Sequence, residues 1–236
     1  MDFSNKHVVV TGGTGALGAE VVAGLLRAGA RCVIPYRNEA EAQRFAHRGD
    51  PNVTLIAVGD LADEAEAGKL YGGLTASSPL WASIHIAGGF APGNVADTDK
   101  AALMKQLNGN LVSCFLCCRA AANAMRAGRQ GGRIVNVASR QALEWRSGAG
   151  MAAYTIAKSG VATLTTTMAE EVVRDGILVN AVAPSIMDTT ANRAAMPKAD
   201  FNAWPKVEEV AATILFLASP ENKVTRGAVV PVYGKF

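Results

Sequence analysis

The stretch His7-Val8-Val9-Val10-Thr11-Gly12-Gly13-Thr14-Gly15-Ala16-Leu17-Gly18 decides the fold. Val8 to Val10 are apolar and β-branched and read as a strand. An amphipathic stretch over 15–28 follows, with Val21, Val22, Leu25 and Leu26 on one stripe and Gly29 as its stop. Between them, Gly13, Gly15 and Gly18 match G-x-G-x-x-G, placed after a strand and at the opening of a helix, as the match requires. Glycine tolerates positive φ and lets backbone N–H groups approach an anion, which the positive helix end then holds. Gly12, Thr14, Gly15, Ala16, Leu17 and Gly18 are therefore expected to cradle a nucleotide pyrophosphate.

The rest of the chain repeats this rhythm. Further strands are expected over 31–34, 53–58, 81–86, 133–137, 178–182 and 228–232. Helices are expected over 39–48, 62–74, 105–126, 152–174 and 207–217. Strands separated by helices pair in parallel through right-handed crossovers, and continuously apolar strands imply a sheet covered on both faces. The expected architecture is α/β: a single doubly wound domain over 1–236, with a seven-stranded parallel sheet and its ligands beyond the carboxyl ends of the strands.

Composition narrows the function. The 236 residues are half hydrophobic, yet no run of 18 apolar residues occurs, so no membrane span is expected. The net charge of +3 is dispersed rather than gathered in a basic block, and no nucleic-acid surface is expected. Met1 to Lys6 are polar and contain no signal region, which does not point to secretion. The cysteines are Cys32 and a cluster in Ser113-Cys114-Phe115-Leu116-Cys117-Cys118. Helical spacing sets Cys114 beside Cys117 and Cys118. With no second cysteine pair and no histidine nearby in sequence, they read as buried thiols, and no metal is expected. Four unpaired thiols suit a reducing cytoplasm, the expected location.

Tyr154 and Lys158 stand one helical turn apart. A free phenol has a pKa of about 10 and is a poor base at neutral pH, and a nearby ammonium lowers it. Such a pair exchanges a proton with a carbonyl or alcohol oxygen. Ser139, after the fifth strand, is expected at the same sheet edge. After the second strand comes Pro35-Tyr36-Arg37-Asn38, with no acid before Glu39 to bind the 2′-hydroxyl of NAD. Arg37 suits a 2′-phosphate, which favours NADP and leaves NAD possible.

The glycine turn, Asn110, Ser139, Tyr154-Thr155-Ile156-Ala157-Lys158 and Asn180-Ala181-Val182-Ala183-Pro184 occur in the order seen in short-chain dehydrogenases/reductases, which the chain resembles over nearly its whole length. The resemblance implies a Rossmann-type fold and hydride transfer between a nicotinamide cofactor and a small carbonyl or alcohol substrate. It implies Tyr154 as general acid/base, Lys158 on the nicotinamide ribose, Ser139 on the reacting oxygen and Asn110 supporting a relay water. Asp60 and Leu61 would bracket the adenine, Ala87 and Gly88 would lie along the ribose, and Pro184, Ile186 and Thr189 would hold the nicotinamide end. A homodimer or homotetramer is also implied, packed through small-residue helices such as the one opening at Ala152.

Some positions depart from the family pattern. Ala16 replaces a glycine, Ser185 replaces the glycine after Pro184, and His85-Ile86 stands where two asparagines are usual. His85 reads as a strand-end hydrogen-bonding residue. The spacing of 15 residues from Ser139 to Tyr154 implies a small insertion over 141–150. The segments 87–94 and 188–204 resemble dihydropteridine reductase, which makes a quinonoid pterin a second substrate reading, although Ser139 is not expected in that relative. A non-catalytic nucleotide-binding redox sensor is the reading from another class, and the intact Asn110, Ser139, Tyr154 and Lys158 set argues against it. Segment 188–204 is expected to close over substrate.

Overall fold

A computed structural model describes residues 1–74 and 78–235. Strand β1 (His7–Thr11) leads through the glycine turn into α1 (Ala16–Arg27). Then come β2 (Arg31–Tyr36), α2 (Glu39–Arg44), β3 (Val53–Ala57), α3 (Glu64–Gly72) and β4 (Leu80–His85). The second half contains α4 (Lys100–Gln106), α5 (Ser113–Gly128), β5 (Gly132–Val137), α6 (Arg140–Leu143), α7 (Ala152–Glu171) and β6 (Ile177–Pro184). It ends with α8 (Thr190–Ala195), α9 (Val207–Ala218) and β7 (Val229–Val232).

All seven strands form one parallel sheet in the order β3-β2-β1-β4-β5-β6-β7. The order reverses between β1 and β4, so a crevice opens beyond their carboxyl ends. Strand alternation explains the two-sided core. Val8 and Val10 face α1 and α9 through Val21, Leu25 and Ile214, whereas Val9 faces the layer of α3, α5 and α7. No helix among the described residues is long and apolar enough to cross a membrane.

Several element boundaries differ from the periodicity reading. The helix expected over 105–126 is two helices joined by a π-helical turn, Leu107–Val112. The widened turn carries Asn110, whose side-chain amide donates to the Gln106 carbonyl at 3.0 Å; π-bulges recur at functional sites. The helix over 39–48 stops at Arg44, where Phe45 turns into the core with extended backbone. The helix over 152–174 stops at Glu171, and Gly176 then reverses the chain with φ +72°. The insertion over 141–150 folds into α6 and one 3-10 turn, Trp145–Gly148.

Candidate active site

The glycine turn is built by contact. Gly12 adopts φ +69°, and a Cβ there would meet the Ala87 backbone nitrogen at 2.8 Å. A Cβ on Gly18 would overlap the Gly12 carbonyl oxygen, so α1 packs directly on the turn. Ala16 needs no positive φ because it is already the first helical residue, and its side chain is tolerated. Leu17 and Gly18, expected as cofactor contacts, are buried and shape the turn from beneath.

A groove of ≈ 620 Å³ runs from this turn across the sheet edge. It gathers Gly12, Thr14, Arg37, Asp60, Leu61, Ala87, Gly88 and Asn110, from five separate loops or turns. Sequence reading missed others on its walls. Pro35, Tyr36 and Glu41 line the side near β2, while Gly89, Asn108 and Ser113 line the side near the π-helical turn. Asn108 and Ser113 flank Asn110 in sequence, a signal that only the widened turn makes readable. Gly15 and Ala16 are exposed at the turn but do not line the groove. Pro184, Ile186 and Thr189 also stand outside its lining; Thr189 instead caps α8 by accepting from the Asn192 backbone at 3.1 Å.

Of the four expected catalytic residues only Asn110 lines the groove, and Lys158 comes up to it beside Gly88, with Tyr154 and Ser139 beyond the lining. Asn110 is clamped to Gly89 by two bonds, Nδ2 to the Gly89 carbonyl at 2.9 Å and the Gly89 N–H to Oδ1 at 3.1 Å. A Cβ on Gly88 would lie 2.5 Å from Asn110 Oδ1 and 3.5 Å from Lys158 Nζ, so glycine leaves the space between them open. The buried Lys158 ammonium donates to the Val137 carbonyl at 2.8 Å and lies 6.0 Å from the centre of the Tyr154 ring. Burial lowers the Lys158 pKa from 10.5 to about 8, against the opposing charge of Cys114.

Tyr154 behaves differently from the expectation that Lys158 would make it acidic. Burial raises its pKa, and the Ser139 side chain is what opposes the rise. The ammonium is directed at Val137 rather than at the phenol, so the site holds a protonated tyrosine at neutral pH. Ser139 Oγ is buried close to the Tyr154 phenol but completes no well-formed hydrogen bond among the described residues. The Phe90 ring stands edge-on to Tyr154 at 5.2 Å and is 59% exposed, giving the site an apolar wall.

Two neighbouring features bear on the edges of the site. The Gly93 N–H donates to the Gly150 carbonyl at 2.7 Å, which ties the loop after β4 to the segment before α7. Segment 188–204 is anchored at its base by the Asp188 N–H on the Pro205 carbonyl at 2.9 Å and by Arg193 on Asp188 at 2.6 and 2.8 Å. His85 is indeed a strand-end hydrogen-bonding residue, with Nδ1 2.8 Å from Asn136 Oδ1. The histidine absent near the cysteines in sequence is supplied by the fold: His85 of β4 meets Cys114 and Cys118 of α5.

Comparison with known proteins agrees with this geometry. A sequence model of the short chain dehydrogenase family matches residues 6–200. Galactitol 2-dehydrogenase of Rhizobium johnstonii is 32% identical over 247 residues, covering 99% of this chain and 96% of that enzyme. L-xylulose reductase of Bos taurus is 29% identical, covering 99% of this chain and 97% of its own. The solved structure of ElxO with NADP bound superimposes with a TM-score of 0.87 at 25% identity, covering 97% of each chain. The parallel sheet in Rossmann order, the glycine turn at its switch point and these matches lead to one conclusion: the chain belongs to the short chain dehydrogenase family and is an NAD(P)-dependent oxidoreductase.

Proposed function

We propose that residues 1–236 act as one unit that reduces a small carbonyl compound with NADPH. Tyr154 would be the general acid, Ser139 the hydrogen-bond donor to the reacting oxygen, Lys158 the ribose-binding ammonium and Asn110 the support for a relay water. The single observation that carries this reading is the meeting of Asn110 and Lys158 at Gly88, at the inner end of a groove that begins on the glycine turn. The turn and groove fit a dinucleotide, since Gly12 and Thr14 of the turn line a groove of ≈ 620 Å³ that continues past Arg37, Asp60, Ala87 and Gly88. When bound, the nicotinamide cofactor supplies hydride.

The residues' own work follows from their state. Burial keeps the Tyr154 phenol protonated, so it can donate as negative charge develops on the substrate oxygen. Ser139 stabilises that charge with a donor already in place and without competing bonds among the described residues. Lys158, held by Val137, offers positive charge to the emerging phenolate and to the ribose hydroxyls. Phe90 supplies an apolar contact for the substrate beside the acid. Pro184, Ile186 and Thr189 would frame the nicotinamide end, and 188–204 would close over substrate. The test is loss of nicotinamide absorbance with ketones, quinones and quinonoid dihydropterin. Absence of binding to either NADPH or NADH would overturn the reading.

The preference for NADPH rests on Arg37. It is exposed on the groove wall, and no acid follows β2 before Glu39. Glu39 receives the Tyr36 hydroxyl, while Glu41 accepts from Thr14 Oγ1 at 3.4 Å. A charge-assisted bond to phosphate contributes about 1.5–3 kcal/mol, so Arg37→Ala should raise the Kd for NADPH by roughly 10–100-fold and leave that for NADH unchanged. Equal loss for both nucleotides, measured by fluorescence titration, would remove Arg37 from discrimination.

The chain is further proposed to be a cytoplasmic homodimer or homotetramer. Supporting this are its four free cysteines and the apolar side chains Phe115 on α5 and Ile156 on α7, which are 50% and 55% exposed. Sedimentation as a monomer at micromolar concentration would refute the assembly.

A further inference from the structure

The cysteine cluster has no part in the proposed reaction, yet the fold surrounds it with ligand atoms. Cys114 and Cys118 lie one turn apart on α5, and the first is the second residue after the π-helical turn. His85 enters from the end of β4 and Asn136 from the adjacent strand β5. Four donor atoms meet in the core. His85 Nδ1 is 3.4 Å from Cys118 Sγ and 2.8 Å from Asn136 Oδ1. Cys114 Sγ and Cys118 Sγ are 3.3 and 3.4 Å from the same Oδ1. The His85, Cys114 and Cys118 atoms all lie within 4.8 Å of one another. All four residues are at least 95% buried.

These separations resemble the edges of a ligand tetrahedron. Bonds of about 2.3 Å to sulfur and 2.0–2.1 Å to nitrogen or oxygen, at tetrahedral angles, place neighbouring donors roughly 3.4–3.8 Å apart. The three distances to sulfur are already near that range, the His85–Asn136 edge must widen, and the edges from Cys114 to His85 and to Cys118 lie within 4.8 Å. The outer contacts fix the donors in orientation. His85 Nε2 lies 2.8 Å from Ser83 Oγ and 3.2 Å from the Tyr71 hydroxyl, either of which can accept from it, so the proton that Nδ1 shares with Asn136 Oδ1 can move to Nε2 and free Nδ1 to ligate. Asn136 Nδ2 donates to Thr165 Oγ1 at 2.9 Å, which turns Oδ1 toward the cluster.

We propose that His85, Cys114, Cys118 and the Asn136 carboxamide oxygen form a structural site for one Zn²⁺ ion beneath the active-site floor. Thiolate and imidazole donors select a soft or borderline ion over Mg²⁺ or Ca²⁺. Charge selects a divalent ion over Cu⁺. Zn²⁺ takes both cysteines as thiolates, any thiol proton passing to solvent, and two thiolates with Zn²⁺, a neutral imidazole and a neutral amide sum to zero, the state that a buried site tolerates best. The site would tie β4, β5 and α5 together just below Gly88 and Asn110. Because it is closed on all sides, the ion would enter while the chain folds.

The experiment is production of the full chain in minimal medium supplemented with Zn²⁺ or, separately, Co²⁺, followed by metal analysis and absorption spectroscopy. The expected result is about one ion per chain, with a thiolate-to-cobalt charge-transfer band and the visible bands of tetrahedral Co²⁺. His85→Asn and Cys114→Ser should each lose the ion, whereas Cys32→Ser and Cys117→Ser should keep both metal and band. Should Cys114→Ser fail to fold, the charge-transfer band of the unaltered chain still reports thiolate ligation, and His85→Asn tests the imidazole. Metal-free protein from both media, or a metal content and spectrum that His85→Asn leaves unchanged, would overturn the site.

Discussion

Tyr154→Phe is expected to lower kcat for carbonyl reduction by roughly 10²–10⁴-fold, the usual contribution of a positioned general acid. The substitution removes one oxygen and keeps the ring, so the edge-on contact with Phe90 and the packing of α7 persist. Ser139 remains, but a serine hydroxyl is a much weaker acid than a phenol and cannot take over proton delivery. Cofactor affinity should change by less than about threefold, because Lys158 keeps its bond to Val137 and the groove is untouched. Single-turnover hydride transfer and nucleotide titration, measured on the same preparation, separate the two effects. Turnover like that of the unaltered chain would exclude Tyr154 from the reaction.

Lys158→Met is expected to act in opposite directions on activity and stability. The ammonium is buried in the core side of the site, and burial brings its pKa from 10.5 to about 8. A displacement of that size corresponds to a cost on the order of 3 kcal/mol for keeping it charged at neutral pH. Methionine fills a similar volume without a charge, so the variant should melt several degrees higher at pH 7, less what the lost bond to the Val137 carbonyl contributes. Activity should fall by roughly 10²-fold or more, since the variant would lose both the proposed ribose contact and the positive charge near the phenolate. The sign of the pH effect follows from linkage. The lysine is less basic in the folded state, so between about pH 8 and 10.5 the unfolded chain binds more protons. Its stability cost therefore shrinks as pH rises through that window and is fully present below it. The stability gap between variant and unaltered chain should narrow across the same range in denaturant melts. In kinetics, kcat/KM for reduction should decline as pH rises through about 8, as the free enzyme loses the Lys158 charge. A variant that is less stable at pH 7, or a gap that does not vary with pH, would refute the account.

Much of the architecture was legible because periodicity carries it. The Val8 to Val10 run, the glycine spacing and the stripe of Val21, Val22 and Leu25 each specify a local structure that the core then rewards. Seven strands alternating with helices leave few topologies once crossovers must be right-handed. The pairing of Tyr154 with Lys158 needed only helical spacing. Boundaries were less legible. Phe45 ends α2 because its ring belongs in the core, and Asn110 sits in a π-helical turn that no propensity announces.

What the sequence by itself determined is the parallel sheet, the glycine turn at its edge and the residue types available for proton transfer. These depend on short-range patterns and on the absence of a side chain at Gly12 and Gly18. Tertiary structure alone decided where the charges point. It aimed the Lys158 ammonium at Val137 rather than at the phenol, left Tyr154 protonated and left Ser139 Oγ unpaired among the described residues. It also carried His85 from β4 to the cysteines of α5, across a sequence gap that no local pattern spans. Packing and desolvation act between segments remote in the chain, so their outcome is fixed only when the sheet has closed.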